Sequence, residues 1–582
     1  MKLPAALRPF HTFWDSKPFE DLLADPVSLP AFETNSAEPP PPLAPITSAL
    51  LNLANPVGNT GDRAMLGGTA RSLYNVSGAG VKVGILSDSF NLRSGYTVDT
   101  ASGALASGIQ ILKDGPAGGA DEGRAMAQLV HQVAPSASLA FYTAFRGEAD
   151  FANGIKALAA AGCKVIVDDV TYLSEPFFQA GGLIQQAIAS VIGQGVSYFT
   201  SASNQGTNFY ENRFTGLATK LPGLNGTYQT MNFGTATTPR NLQSLTIAKG
   251  ATATIDLQWD QPFASIGTGH ASANSLGLVL YDAAGKIVAS ALANRTGGDP
   301  VQIMRFTNTT GSTDFRLGIL TNGGAVPPNL FKYIVYGSGT TINDRNAGIG
   351  SGTIIGHEEM AGVNCVGAIA ASNSTALGGN GRIEAFSSVG PGTILFDSSG
   401  NRLATAISTA NVDFVAPDGI ATSVFSPFYG TSAAAPDAAA VAALMLQANT
   451  NLSPTQVTAM LAASAIKVTG PANGTGSGLI QATSAVQQAL AAKSKPDITP
   501  TKAITGSATP TSTGGALSHD FNTALTSLFQ DPTAMQDFFA TTDPSLALPD
   551  VQITTATAFA IGHALGDTPT LIFDDPTTHL LA

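Results

Sequence analysis

Over the middle of the chain, apolar residues fall in short unbroken runs that alternate with helical patterns. Positions 81–86 (VKVGIL) read as a buried strand, 122–132 as a helix and 138–143 as a second strand. Positions 165–170 and 196–200 continue the series, with a helical pattern at 181–194 between them. Strands without polar alternation, separated by helices, predict a parallel sheet covered on both faces. The alternation stops near 207. From 208 to 340 there are many short strands with Thr, Asn and Gly turns, as in SLTIAKGATATIDLQWD, LGLVLYDAAGKIVASA and FRLGILTN. DAAGK reads as a hairpin turn, and the whole stretch as an all-β sandwich inserted into the α/β domain. The α/β pattern returns near 350 with NCVGAIAAS, a small-residue helix at 433–446 and a last helix at 453–463.

The ends of the chain read differently. Residues 1–65 are Pro-rich, with a PPPP run at 39–42, and are expected to form an extension rather than a packed domain. Residues 495–582 begin with a Lys/Pro/Thr/Ser-rich linker and continue as a tail to which no function is assigned. The α/β domain is therefore expected in two parts, 66–207 and 341–494, around an insert at 208–340. The insert should be separable, each part having its own core.

Composition narrows the function. Hydrophobic residues make up 44% of the 582, enough for a large core, and no apolar run reaches the length of a membrane span. Charged residues are 12%, about half the usual share of roughly 25%. That composition favours an extracellular or periplasmic, secreted protein. The N-terminus, MKLPAALRPFHTFWDSKPFED, lacks a continuous apolar stretch, so no secretory signal is visible. A net charge of −12 argues against nucleic acid and anionic membranes as partners. Cys163 and Cys365 lie in strand-like runs and read as buried free thiols, with a bridge between neighbouring strands left open. No CxxC or HExxH pattern is present, so no zinc site is expected.

The most informative segment is Tyr429-Gly430-Thr431-Ser432-Ala433-Ala434-Ala435-Pro436. It places a hydroxyl at the first turn of a buried helix, where a tight glycine turn and free N–H groups favour negative charge. The segment resembles the nucleophile region of subtilisin-like and sedolisin-like serine peptidases. Further segments support the resemblance in the family's order. VKVGILSDSFN is similar to the strand bearing the catalytic aspartate, which implies that role for Asp88, although Ser87 is an added residue and Phe90 replaces the usual glycine. VAPSASL resembles the strand after the histidine helix. GVSYFTSASNQG resembles the oxyanion-hole segment, which implies Asn204 as the amide donor. AFSSVGP and DFVAPDG resemble the approach to the nucleophile. The resemblance covers roughly 70–205 and 350–492.

The family's histidine is absent. Glu122-Gly123 stands where His-Gly is expected. His131 lies nine residues on, about 900° around the helix and about 13 Å away, and reads as a core or surface residue. The other six histidines fall in the extension, insert, tail or an unrelated loop. Sedolisins use Ser, Glu and Asp, with Glu and Asp one helical turn apart, but here Met126 occupies that place. The implied site is a hybrid: Ser432 as nucleophile, Glu122 as general base and then acid, Asp88 orienting Glu122 and sharing a proton with it, and Asn204 at the oxyanion hole. Asp168 and Asp169 interrupt an apolar strand, and one of them must face the interior or the cleft. Either a third carboxylate, a cation site or no chemistry at all fits that position. Asp437 reads as structural.

The resemblance thus implies a monomeric serine endopeptidase acting on proteins or peptides at acidic pH. No cofactor is needed for the chemistry. The family often holds structural calcium, but no Asp/Asn-rich loop here makes a case for it. The alternative is a subtilisin-like fold without activity that binds protein or glycan, with Trp259 and Tyr281 of the insert as a binding face if they are not core.

Overall fold

The computed structural model describes Pro26–Val27 and residues 60–494, apart from 268, 325, 345–350, 410–411 and 472. The PPPP run and the tail from 495 lie outside the described residues.

The apolar runs read as strands join two further strands, Gln110–Lys113 and Phe414–Asp418, in one parallel sheet. Its order is Phe414–Asp418, Asn364–Ala370, Ser197–Ser201, Val165–Asp168, Lys82–Ser87, Ser138–Thr143, Gln110–Lys113. The first strand of this sheet in chain order, Lys82–Ser87, sits inside it. On one side the chain forms the edge strand Gln110–Lys113 first and then fills the gap with Ser138–Thr143, after which it crosses to build the other side from Val165–Asp168. That reversal of order, beyond the carboxyl ends of the two strands, is the usual place for a site in an open α/β sheet. Asp88 and Asp169 are the residues that follow those ends.

The two faces of the sheet take alternate residues. Val83, Ile85, Val165 and Val167 pack with the helices Glu122–Val133 and Thr431–Ala448. Leu86, Ile166 and Tyr198 pack with Glu148–Ala160 and Leu183–Ile192. Thr431–Ala448 is buried on every side except at Gln447, which its alanines permit by letting neighbours approach closely. Gln447 closes the far end, its Oε1 accepting the N–H groups of Ser77, Gly78 and Ala79. Both cysteines are buried free thiols.

Three elements depart from the sequence reading. Glu148–Ala160 was not anticipated, because its Ala-rich outer face blurs the periodicity. A helix at Ala482–Ser494 follows Pro454–Ser464, so the latter is not the last. Packing begins inside the stretch assigned to the extension, with a helix at Thr60–Ala64. Ala64 and Met65 are fully buried, and the Met65 carbonyl accepts the Ala482 N–H at 2.8 Å.

Between Phe209–Arg213 and Thr340–Ile342 the chain forms antiparallel sheets of seven and four strands. They enclose a core of residues such as Leu245, Leu257, Trp259, Leu278 and Phe315. Ser275–Asp282 and Ile287–Ala291 form the hairpin around DAAGK. Trp259 and Tyr281 are buried, so they pack and do not form a binding face. Asn208 clasps the two ends of the insert. Its side chain donates to the Val335 carbonyl at 2.9 Å and accepts the Ile342 N–H at 3.0 Å.

The insert does not stand on its own core alone. Phe263, Ile303, Ile334 and Tyr336 from the insert join Leu173, Phe177, Phe178, Ile355 and Phe396 from the α/β domain in one buried cluster. Lys332 is buried at the same junction, with its ammonium 5.2 Å from the Phe177 ring and 5.8 Å from that of Phe209. Burial lowers its pKa, while Glu211 and Glu359 pull it back up. Replacing 208–342 by a short linker therefore uncovers apolar surface. We expect that deletion to aggregate when expressed, and to become soluble and monomeric by gel filtration once Leu173, Phe177, Phe178 and Phe396 are changed to polar residues. A soluble deletion product without those changes counts against a shared core.

Candidate active site

Asp88 leaves the central strand and turns its carboxylate onto backbone. Oδ1 accepts the N–H groups of Ser89 and, at 2.9 Å, Glu122, while Oδ2 accepts that of Ala120. The strand end and the start of the Glu122–Val133 helix are thus fixed to each other. Burial raises the Asp88 pKa, and these N–H groups lower it again in part.

A second network holds the same helix start. Asp121, at φ 61°, accepts the N–H groups of Leu92 at 2.8 Å and Arg93 at 3.0 Å. Arg124 pairs with Asp121 at 3.0 Å and also with Asp99, and all three are buried. Gln128 joins Asp99 to Ser423. None of these partners was singled out from sequence. Glu122 itself is almost fully buried.

The nucleophile candidate starts the Thr431–Ala448 helix. Gly430 lies at φ 107°, a conformation that disfavours any side chain, and its N–H is held by Asp418 at 2.8 Å. Asn204 packs against this turn. Its Oδ1 accepts the N–H of Thr431 at 2.9 Å and the Thr431 hydroxyl at 3.0 Å, which leaves its Nδ2 for the cleft. Among the described residues no hydrogen bond to the Ser432 N–H is found. Two donors, one from side chain and one from backbone, are therefore unengaged beside Ser432. The AFSSVGP segment supports Asn204 from behind: the Ser388 hydroxyl accepts the Gln205 N–H at 3.0 Å, and Ser388 N–H reaches the Ser203 carbonyl.

Asp168 and Asp169 point to opposite faces. Asp168 follows the parity of Ile166, accepts the Thr200 hydroxyl at 2.8 Å and meets His357 Nε2 at 3.2 Å. Glu175 meets the other ring nitrogen of His357 at 2.7 Å. His357 is thus not in an unrelated loop. It lies across the sheet from Ser432, wired between two carboxylates. Burial depresses its pKa, but Glu175 and Asp168 outweigh that and hold it well above the usual value. The next residue, Glu358, accepts the hydroxyls of Thr171 and, at 2.6 Å, Ser203. Glu359 accepts the Thr409 hydroxyl at 3.1 Å. Three consecutive side chains therefore link the end of the Val165–Asp168 segment, the loop before Asn204 and, through the charge of Glu359 on Lys332, the insert junction. Asp437 is fully buried next to Asp62, and burial first and Asp62 second push its pKa well up. His131 is partly buried at the far end of its helix.

The subtilase family model matches residues 115–488. The chain belongs to the subtilase family. It is a serine-type peptidase by that membership. The match begins after Asp88 and includes Glu122, Asn204 and Ser432. No match is found among curated proteins. Among solved structures, the CspB protease of Clostridium perfringens is 13% identical, with 74% of this chain and 99% of that one covered, at a TM-score of 0.45. MycP1 from the ESX-1 type VII secretion system is 14% identical over 80% and 88%, at 0.33. Fervidolysin from Fervidobacterium pennivorans is 12% identical over 73% and 45%, at 0.32. These distant likenesses carry no argument about substrate or mechanism. Among the described residues no helix of the subtilase is long and apolar enough to cross a membrane, and no group of three or more His, Cys, Asp or Glu is placed to hold a metal ion.

The buried acids set the response to pH. Burial raises Asp413 to about 6, Glu148 and Glu358 to about 7 and Glu359 to about 8. Each carboxyl binds its proton more tightly folded than unfolded, where its pKa is near 4. Stability contributed by these groups is complete below about pH 4 and is lost as pH rises toward 8. His357, raised in the fold, acts in the same direction. We expect the melting temperature to fall by several degrees between pH 5 and pH 8.5 in a thermal scan at fixed ionic strength. A flat or rising profile is the contrary result.

Proposed function

We propose that this subtilase is a serine endopeptidase without a catalytic histidine. Ser432 is the nucleophile and Glu122 the base, which takes the hydroxyl proton and returns it to the leaving amine. Asp88 orients Glu122 through the backbone N–H that it holds. Asn204 Nδ2 and the Ser432 N–H stabilise the oxyanion. The observation that carries this reading is the pair of unengaged donors at the start of the Ser432 helix, with buried carboxyl groups opposite. Peptide or protein substrates fit the site's edge. Thr171–Tyr172 already pairs antiparallel with an extended segment of the chain, Pro26–Val27, as a substrate strand does in β-augmentation. The chemistry needs no cofactor.

A fluorophosphonate probe separates this reading from a binding protein that has lost catalysis. Wild type should be labelled, and Ser432→Ala should lose both labelling and peptidase activity. A labelled Ala variant makes another residue the nucleophile. Asn204→Ala should lower kcat by roughly 10²–10³ with little change in KM, because its amide meets charge only in the transition state. A change confined to KM removes Asn204 from the oxyanion hole.

A glutamate base has a reference pKa of about 4.3, against about 6.5 for histidine, so it stays usable in acid. Two neighbouring carboxyl groups also work best with one proton between them, and a second ionisation sets like charges side by side. Activity on a denatured protein should peak below about pH 7, with Glu122→Gln nearly inactive. An optimum above about pH 8, or a fully active Gln variant, takes Glu122 out of the mechanism.

A further inference from the structure

The Glu122 reading leaves open which group holds the shared proton. Asp88 is poorly suited, because both of its oxygens already accept backbone N–H groups. Asp169 lies one residue beyond Val165–Asp168, where Leu86 is in register with Asp168, so its register neighbour is Ser87 at the end of the central strand. Its parity is that of Val165 and Val167, whose side chains face the helices that begin at Glu122 and Thr431. It is 6% exposed, and its Oδ1 has no hydrogen-bond partner.

Resting on the Ser432–Glu122 reading, we propose that Asp169 is the second carboxyl of a proton-sharing pair with Glu122 and serves as its positioning residue. An ionised, solvent-excluded carboxylate beside another carboxylate is costly, whereas the protonated acid donates to its neighbour and fixes it. The charged groups on its side of the sheet that act on Asp169 are Glu122 from the helix and Asp88 from the adjoining strand end, with a smaller effect from Asp168 on the far face, all carboxylates. Burial first and Glu122 second raise its pKa well above the ordinary value, and Ser87 offsets this in part.

The resting pair carries one proton, on Asp169, and its hydrogen bond aims the ionised Glu122 at Ser432. As Ser432 Oγ bonds to the scissile carbonyl carbon, its proton passes to Glu122, and the pair then holds two protons and no charge. Collapse of the tetrahedral intermediate breaks the C–N bond, and Glu122 gives its proton to the departing nitrogen. The pair returns to one proton. Water repeats the sequence to release the acyl group. The buried setting favours the neutral, doubly protonated form at the moment when the serine loses its proton.

The test is the pH dependence of kcat for three variants, with folding followed by melting temperature. An asparagine amide donates as the protonated acid does but cannot ionise. Asp169→Asn should keep kcat within about tenfold of wild type and move the alkaline limb up by at least one pH unit, while leaving the acid limb in place. Asp169→Ala, which has no donor, should lose about 10²-fold in kcat. Asp169→Ser, a smaller donor, should recover part of that loss and share the shifted limb, and it decides the matter if the other variants do not fold. An alkaline limb at its wild-type position in a folded Asn or Ser variant overturns the proposal. Glu122→Gln, assayed alongside, separates the two failures. If it is inactive while the limb stays put, only the role of Asp169 is wrong; if it is fully active, the Glu122 reading itself is wrong.

Discussion

The Asp88 carboxylate joins two pieces of chain that are 32 to 34 residues apart, the end of the central strand and the start of the Glu122 helix. Everything acidic in the cleft depends on that junction. A helix start exposes N–H groups that need acceptors, and a carboxylate is the strongest acceptor available. Using it there spends both Asp88 oxygens on geometry. The Asp121–Arg124–Asp99 network then fixes the rotation of the same helix from the other side. The start of the Glu122 helix is thus held from two sides, and the proposed role of Glu122 as a base calls for such fixed placement.

The oxyanion side is built on the same principle with different groups. Ser203, the residue before Asn204, sits at φ 67°, a conformation uncommon for a residue with a side chain. Glu358 holds its hydroxyl, and the Asn204 amide is in turn held by Thr431. Glu358 belongs to the turn Gly356–Glu359, in which His357 on one side meets Glu175 and Glu359 on the other acts on Lys332 of the insert. The inserted sheets are thus joined, through a few buried polar contacts, to the loop that presents the oxyanion donor. Substitutions in the insert far from Ser432 have a physical route to the rate.

The sequence showed the sheet because its strands are buried on both faces and so read as unbroken apolar runs. It singled out Ser432, Asn204 and Asp88 through local motifs and Glu122 through its place where the motif has histidine, and the structure brings Asn204 to the Ser432 turn and the Asp88 carboxylate to the Glu122 N–H. What stayed hidden is long-range. Asp168 and Asp169 are adjacent, and only strand parity and the position of the order reversal assign one to His357 and the other to the cleft. His357 gave no local signal, since its partners are over 180 residues away. The shared core at the insert was hidden for a similar reason: Phe177 and Phe178 read as ordinary apolar residues until the sheet that covers them is in place.

The helix that carries Ser432 is lined by alanines that are fully buried, in an interior packed closely as protein interiors are. That has a consequence at the level of the gene. A single base change in an alanine codon yields serine, threonine, valine, proline, aspartate, glutamate or glycine. All but glycine add atoms where none fit, and glycine loosens the helix by about 1 kcal/mol. The rod that begins at Ser432 is therefore closed to stepwise drift.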